Sequence, residues 1–238
     1  MATALKQPAS LKNQILRGLP KEKYEGLFSN LRVTNLTARQ VLYHVGDAIP
    51  CAYFINDGIT SLLSITPEGE SIEVASVGRE GVVGIPVILR HAQTPHQIVV
   101  QVPGEAMVIS AHLLREEFEK EGELRDRLLS YTHAFATCMS QIGVCNHFHT
   151  LDKRLCRWLL ITSDKVESQS FHLTHEALSQ VLGTGRAGVT MVANKLQKQG
   201  LIHYHRGEIT ILNRAGLEEI SCECYEITKD VFEPPPGL

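Results

Sequence analysis

Gly183, Gly185 and Gly188 fall in the segment GTGRAG at the spacing Gly-x-Gly-x-x-Gly, at which a loop can bring backbone N–H groups against a dinucleotide pyrophosphate. Glu208 follows about twenty residues on, where such folds hold the acid that binds a ribose. That chemistry needs a buried strand before the first glycine, because the loop leaves the strand's carboxyl end. The residues before Gly183 are LTHEALSQVL, whose apolar members Leu173, Ala177, Leu178, Val181 and Leu182 are spaced as on one face of a helix. Thr174 is a suitable cap for its start. Beyond the glycines, Val189, Val192, Ala193 and Leu196 make a second helical stripe that stops at Gln199-Gly200. Helix, glycine turn, helix is a helix-turn-helix unit, with Gly183 supplying left-handed backbone at the turn. LIHYHRGEITIL then reads as two short strands about Arg206-Gly207, a hairpin of the wing type that carries Glu208. A nucleotide-dependent enzyme using GTGRAG is one alternative, but it lacks the required strand, and no paired carboxylates or nucleophile–base set stands out elsewhere; a ligand- or partner-binding barrel protein whose winged helix serves protein contacts is the other.

Other reactive groups carry less. Six cysteines, at 51, 138, 145, 156, 222 and 224, form no Cys-x-x-Cys pair and read as free thiols of a reducing compartment. Cys222 and Cys224 are two apart, and on a helix they would point to different faces, so no shared metal is expected there. No cofactor is predicted.

The elements that position these residues fall into three regions. Residues 28–110 carry short apolar or alternating runs: QVLYHV, AYFIN, ITSLLSI, SIEVASV, QIVVQV and AMVIS. They are punctuated at Gly46-Asp47, Asp57-Gly58, Pro67-Glu68-Gly69, Gly78 and Pro103-Gly104. Such a pattern predicts an antiparallel, jelly-roll-like β-barrel, flanked by short helices in LKNQILRGLPKEKYEGLFS and AHLLREEFEKEG. After Gly122, residues Leu124, Leu128, Tyr131, Phe135, Cys138, Ile142 and Cys145 alternate in steps of four and three, a heptad seam that predicts a dimerisation helix between two copies of the chain. A helix lying on its own barrel is the other reading. TLDKRLCRWLLITSDKV places Leu151, Leu155, Trp158, Leu159 and Thr162 on one core-packing face. The fold expected is therefore α+β: a β-barrel with flanking helices over 1–122, the dimerisation helix over 123–149, and a winged helix-turn-helix over 150–238 ending in an acidic tail.

Charge follows the same division. Residues 150–215 hold nine Lys/Arg against five Asp/Glu, whereas the first 149 hold thirteen against fifteen and the last 23 hold one against six. A basic island, enriched in histidines 149, 172, 175, 203 and 205, fits a polyanion partner for that region alone. The opening MATALKQPAS lacks an apolar core of signal-peptide length and no run reaches the length of a membrane span, so a cytoplasmic protein without a membrane partner is expected.

The barrel, the long helix and LTHEALSQVLGTGRAGVTMVANKLQKQGLIHYHRGEITIL together resemble the Crp/Fnr family of bacterial transcription regulators, over about residues 15–220. The resemblance implies a homodimer on double-stranded DNA, with RNA polymerase as a further partner. It aligns Arg186 with the arginine that reads a guanine, and puts Ala187 and Met191 where a glutamate and a second arginine are common, so the operator should differ from that of the best-known members. Thr174, Thr184, Gly185, Thr190, Lys195, His205 and Arg206 complete the DNA-facing set, with Lys198 and His203 as further phosphate candidates. The resemblance also locates a cyclic-nucleotide pocket at Gly81, Val83, Gly84, Ile85, His96 and Gln97. There Ile85 replaces the ribose-binding glutamate, and His96 and Gln97 replace the phosphate-binding arginine and its hydroxyl partner. High-affinity binding of cyclic AMP is not expected, although Arg79, Arg90 or His96 could substitute. The effector is an unknown small molecule or there is none. No cysteine precedes Cys51 to build the family's N-terminal iron–sulfur site, and His44 or His91 would be the residues to hold a haem.

Overall fold

The computed structural model describes residues 11–232, so MATALKQPAS and residues 233–238 of the acidic tail lie outside the described residues. The described residues divide into two compact units, one of residues 11–60 and 77–133 and the other of 61–76 and 134–232. The hairpin 61–76 thus groups with the C-terminal residues, although in sequence it falls within the strand-rich region.

The first unit opens with helices α1 (Gln14–Arg17) and α2 (Glu25–Asn30), then strands β1 (Arg32–Leu36), β2 (Val41–Tyr43) and the long β3 (Cys51–Ile65). In chain order strand β4 (Ser71–Val77), the two-residue β5 (Val82–Val83), the long β6 (Gln97–Ser110) and helices α3 (Ala111–Glu119) and α4 (Glu123–Phe148) follow, of which β4 up to Ser76 and α4 from Ala134 belong to the second unit. Sheet order is β1-β6-β3-β4, with β2 also on β6 and β5 on β3. β1 runs antiparallel to β6 from Arg32 opposite Val108 to Leu36 opposite Gly104. The path of paired strands has two ends, so the sheet is jelly-roll-like rather than a closed barrel. Leu16, Leu27, Leu36, Phe54, Ile55, Ile59, Ile109 and Leu114 fill its core. Buried Asn13 caps α1 through its side-chain oxygen and donates to the carbonyls of Ile55 and Gly81, both at 2.8 Å.

Two expected turns are not turns. AYFIN and ITSLLSI merge into β3, and QIVVQV and AMVIS merge into β6, so that Asp57-Gly58 and Pro103-Gly104 lie inside strands. A Cβ on Gly58 (φ +83°) would stand 2.5 Å from the Val102 carbonyl oxygen, and one on Gly104 would stand 2.2 Å from that of Asp57. The glycines are needed for close approach of two backbones, the use of strand glycine that sequence cannot separate from a turn.

The second unit holds the residues of β3 and β4 within 61–76, the C-terminal half of α4, and helix α5 (Leu151–Val166). Strand β7 (Ser170–His172), helices α6 (His175–Leu182) and α7 (Arg186–Lys198), hairpin strands β8 (Ile202–His205) and β9 (Glu208–Ile211), and helices α8 (Arg214–Ile220) and α9 (Cys224–Asp230) complete it. The predicted face of α5 is buried at Leu155, Trp158, Leu159 and Thr162, and Leu151 is half-buried. Glu73 is also fully buried, accepting from Ser61 and, at 3.0 Å, from the indole N–H of Trp158. Burial pushes its carboxyl up to about 7, against the opposing pull of the Ser61 hydrogen bond, Arg157, Lys165 and Trp158. Among the described residues no helix is long and apolar enough to cross a membrane.

The heptad seam of α4 is not an open face. Leu124, Leu128, Tyr131, Phe135, Cys138, Ile142 and Cys145 are all buried within the single chain. In the first unit the Leu124 N–H donates to Tyr24 Oη at 3.1 Å, and Tyr131 occupies the space where a Gly81 side chain would stand. In the second, Phe135, Cys138 and Ile142 line a cavity of about 30 Å³ with Trp158 and Thr228, and Cys145 lies against Cys222 and Cys224. An apolar stripe reveals that something covers it, not what. The exposed side of α4 is a different one, with Leu129, His133, Ala136, Ser140, Gly143, Val144 and Phe148.

Candidate nucleic-acid interface

Strand, helix and turn residues fix the geometry of α6 and α7. Thr174 caps α6, its hydroxyl oxygen accepting from the Ala177 N–H at 3.2 Å. The chain leaves α6 through Gly183 in the left-handed conformation (φ 57°, ψ 45°), as expected, and enters α7 through Gly185 in extended conformation. The Arg154 guanidinium donates to the carbonyl of Leu182, satisfying a terminal acceptor of α6 and placing positive charge at its negative end. Gly183 has a second constraint: an added Cβ would stand 2.7 Å from Ile72 Cδ1. GTGRAG therefore joins two helices, and no strand enters it.

Val189, Val192, Ala193 and Leu196 turn inward from α7. The opposite face presents Arg186, Ala187, Thr190, Met191, Asn194, Lys195 and Lys198, all exposed, with the Arg186 side chain 70% exposed and Met191 66%. Of the predicted DNA-facing residues, Gly185, Arg186, Ala187, Thr190, Met191, Lys195, His205 and Arg206 are exposed, whereas Thr174 and Thr184 are half-buried. Thr190 donates to the carbonyl of Arg186 at 2.9 Å and its oxygen lies 3.2 Å from His175 Nδ1. Arg186 lies 3.5 Å from the Glu176 carboxylate, an exposed pair of small energetic weight. Lys195 is more firmly engaged. Its ammonium lies 2.5 Å from Asp152, and that hydrogen bond, aided by Thr150, holds the Asp152 carboxyl down at about 2.

The wing turns at Arg206 (φ 49°) and Gly207 (φ 83°), both left-handed as a two-residue hairpin turn demands. His203 and His205 stack with ring centroids 6.3 Å apart. Tyr204 anchors the hairpin by donating to the Leu173 carbonyl at 3.0 Å while His175 packs on its ring at 4.7 Å. His175 and Asn194 were not among the predicted residues. Asn194 could have been found from its position eight residues after Arg186 on the same helical face.

In the first unit, Gly84 (φ +113°) precedes a short 3-10 helix at Ile85–Val87, and Ile85 is buried. His96 is half-buried, and that burial lowers its pKa, disfavouring the charged imidazolium. Positive side chains gather elsewhere, around a cavity of about 330 Å³ lined by Arg90, Arg115, Arg125, Ile88, Phe118 and Glu119.

The expectation for Cys222 and Cys224 fails at its premise. Cys222 lies in the turn after α8 and Cys224 opens α9, so no continuous helix separates their faces. Their sulfurs instead converge with Cys145 and His149, the four ligating atoms all lying within 4.8 Å of one another.

Residues 33–121 match the cyclic nucleotide-binding domain model and residues 153–220 match the Crp-like helix-turn-helix domain model. The global nitrogen regulator of Synechococcus elongatus is 20% identical over 198 residues, spanning 79% of this chain and 89% of that regulator. Among solved structures, FixK2 of Bradyrhizobium japonicum superposes with a TM-score of 0.69 at 12% identity, covering 81% of this chain and 98% of that one. A Eubacterium rectale protein assigned to the Crp/Fnr transcriptional regulators superposes at 0.64 with 20% identity, covering 89% and 99%. With a cyclic nucleotide-binding domain followed by a helix-turn-helix of this type, the chain belongs to the Crp/Fnr family of transcription regulators.

Proposed function

We propose that the chain acts in the cytoplasm as a homodimer that reads a near-palindromic operator, α7 of each copy entering one of two successive major grooves about one helical turn (~34 Å) apart. The observation that carries this reading is the exposed face of α7, where a guanidinium, hydroxyl, thioether, amide and two ammonium groups line one side of a helix whose other side is locked in the core. Arg186 is assigned to a guanine, whose O6 and N7 suit its fork, and Asn194 has the group that pairs bidentately with adenine. Lys198, His205 and Arg206 are assigned to phosphates, which fix position rather than sequence. RNA polymerase is the further partner the family relationship supports.

The sensor pocket is altered. A buried isoleucine at 85 in place of the ribose-binding glutamate, and a half-buried histidine at 96 in place of the phosphate-binding arginine, support the absence of high-affinity cyclic AMP binding, and any effector is a different small molecule. Whatever it is, it must bind the DNA-competent arrangement more tightly than the other to shift the balance between them.

Selection of the full chain against random DNA pools tests the reading. An enriched two-fold motif is expected, and Arg186→Ala should relax one base position in each half-site at a cost of about 1–3 kcal/mol. Lys198→Ala should weaken all sequences alike and flatten the salt dependence. Affinity that is sequence-blind in the unaltered protein would overturn it.

A further inference from the structure

We propose that Cys145, His149, Cys222 and Cys224 bind one zinc ion per chain, a Cys₃His site that clips the end of α4 to the segment joining α8 and α9. None of the four residues belongs to α7, and the proposal does not depend on how that helix is used. Tetrahedral zinc with Zn–S near 2.3 Å and Zn–N near 2.05 Å needs sulfurs about 3.8 Å apart and sulfur–nitrogen pairs about 3.6 Å apart. Cys145 Sγ and Cys222 Sγ stand 3.5 Å apart, and Cys224 Sγ stands 3.5 Å from His149 Nδ1. No two of the four atoms are more than 4.8 Å apart. That span suits a single ion. An iron–sulfur cluster spreads its ligands over several irons and holds them farther apart.

Three further observations distinguish this group from a patch of buried thiols, which alone would be ordinary core. Cys145 and His149 are spaced i, i+4, so both project from one side as α4 ends. The imidazole turns Nδ1 to the sulfurs and Nε2 to the Glu223 carboxylate at 3.2 Å, the hydrogen-bonding pattern that orients a metal-bound histidine and fixes its tautomer. Glu223 sits between the two cysteines of Cys-Glu-Cys, so one short segment supplies two sulfurs and the carboxylate behind the histidine. The Gln141 amide donates to Cys224 Sγ at 3.0 Å, a bond that a thiolate accepts far better than a thiol does. The three cysteines are buried and the histidine side chain is 12% exposed. Zinc is the favoured ion because three thiolates and an imidazole are its structural donor set and it undergoes no redox change. On binding, each thiol loses its proton to solvent, and the resulting charge of three thiolates against one dication leaves a net −1 beside buried Arg157 and partly buried Arg154, which offset it.

The test uses the full chain, purified with a reductant and stripped with a chelator. Titration with Co²⁺ should give the ligand-field absorption of a tetrahedral site together with sulfur-to-cobalt charge transfer, saturating at one equivalent. One equivalent of Zn²⁺ should abolish both and raise Tm. Cys145→Ser and His149→Ala should each weaken Zn²⁺ affinity at least 10-fold. Cys156→Ser, a buried thiol outside the group, should keep the full spectrum. Because these variants could also disturb folding, the unaltered protein decides: reduced protein that gives no tetrahedral cobalt spectrum overturns the proposal. So does a spectrum that survives Cys145→Ser and Cys224→Ser together, or a Cys145–Cys222 disulfide that forms equally fast with and without Zn²⁺.

Discussion

At the scale of single residues, the buried Glu73 is the group most at odds with its surroundings. The folded chain keeps its proton up to about 7, whereas the unfolded chain releases it near the ordinary 4.5. Between those values the native state binds more protons than the unfolded one, so stability falls as pH rises from 4.5 to 7 and is flat above. The slope integrates to about 3 kcal/mol at most. Glu73→Gln keeps an acceptor for the Trp158 indole and removes the charge. Chemical denaturation across pH 5–8 should show the native protein losing stability and the variant holding constant; parallel curves would refute the assignment. This carboxylate was invisible in sequence, because SIEVASV marks a strand without revealing which of its faces is covered, or by what.

Among the elements, the helix-turn-helix was the most legible part. Apolar spacing in LTHEALSQVL and in GVTMVANKL fixes both helices, and Gly183 adopts the left-handed backbone its place in the turn demands. Gly183→Ala should cost about 1–3 kcal/mol through the left-handed conformation alone. The near contact with Ile72 adds to that, so the denaturation midpoint should drop and operator binding weaken with it. A neutral substitution would mean that the turn relaxes freely. The strands were less legible. Asp57-Gly58 and Pro103-Gly104 carry turn chemistry, yet both lie mid-strand, because a glycine that lets two backbones touch looks in sequence like one that reverses the chain. The seam of α4 was read correctly as an apolar stripe and assigned the wrong cover, since the residues that bury its C-terminal half include Cys222, Cys224 and Thr228, more than seventy positions later. The exposed face of α7 was legible because its apolar stripe repeats at helical spacing, whereas nothing in the spacing marked His175, whose ring lies 3.2 Å from Thr190 across the helix pair.

For the whole molecule, the cover over that stripe moves the surface left for the second copy of the proposed homodimer. The face of α4 that remains open carries Leu129 and Val144, both close to half exposed, with small residues at Ala136, Ser140 and Gly143 between them. Val144→Asp or Leu129→Asp should leave the fold intact and shift sedimentation from dimer to monomer, with operator affinity falling accordingly. Leu128→Asp, by contrast, should unfold the chain, because it buries a charge in the core. If Leu128→Asp gives a folded monomer and Val144→Asp a normal dimer, the copies meet at the other face.

Trp158 is the lone indole of the chain, and its N–H is tied to the Glu73 carboxyl. Light emitted by the unlabelled protein therefore comes from a fluorophore hydrogen-bonded to a carboxyl whose pKa burial raises to about 7. Its emission should follow a single proton, with a midpoint near 7, and stop responding in Glu73→Gln. The protein thus carries its own optical pH gauge, read without dye or tag, and any molecule that disturbs that carboxyl will announce itself in the same colour.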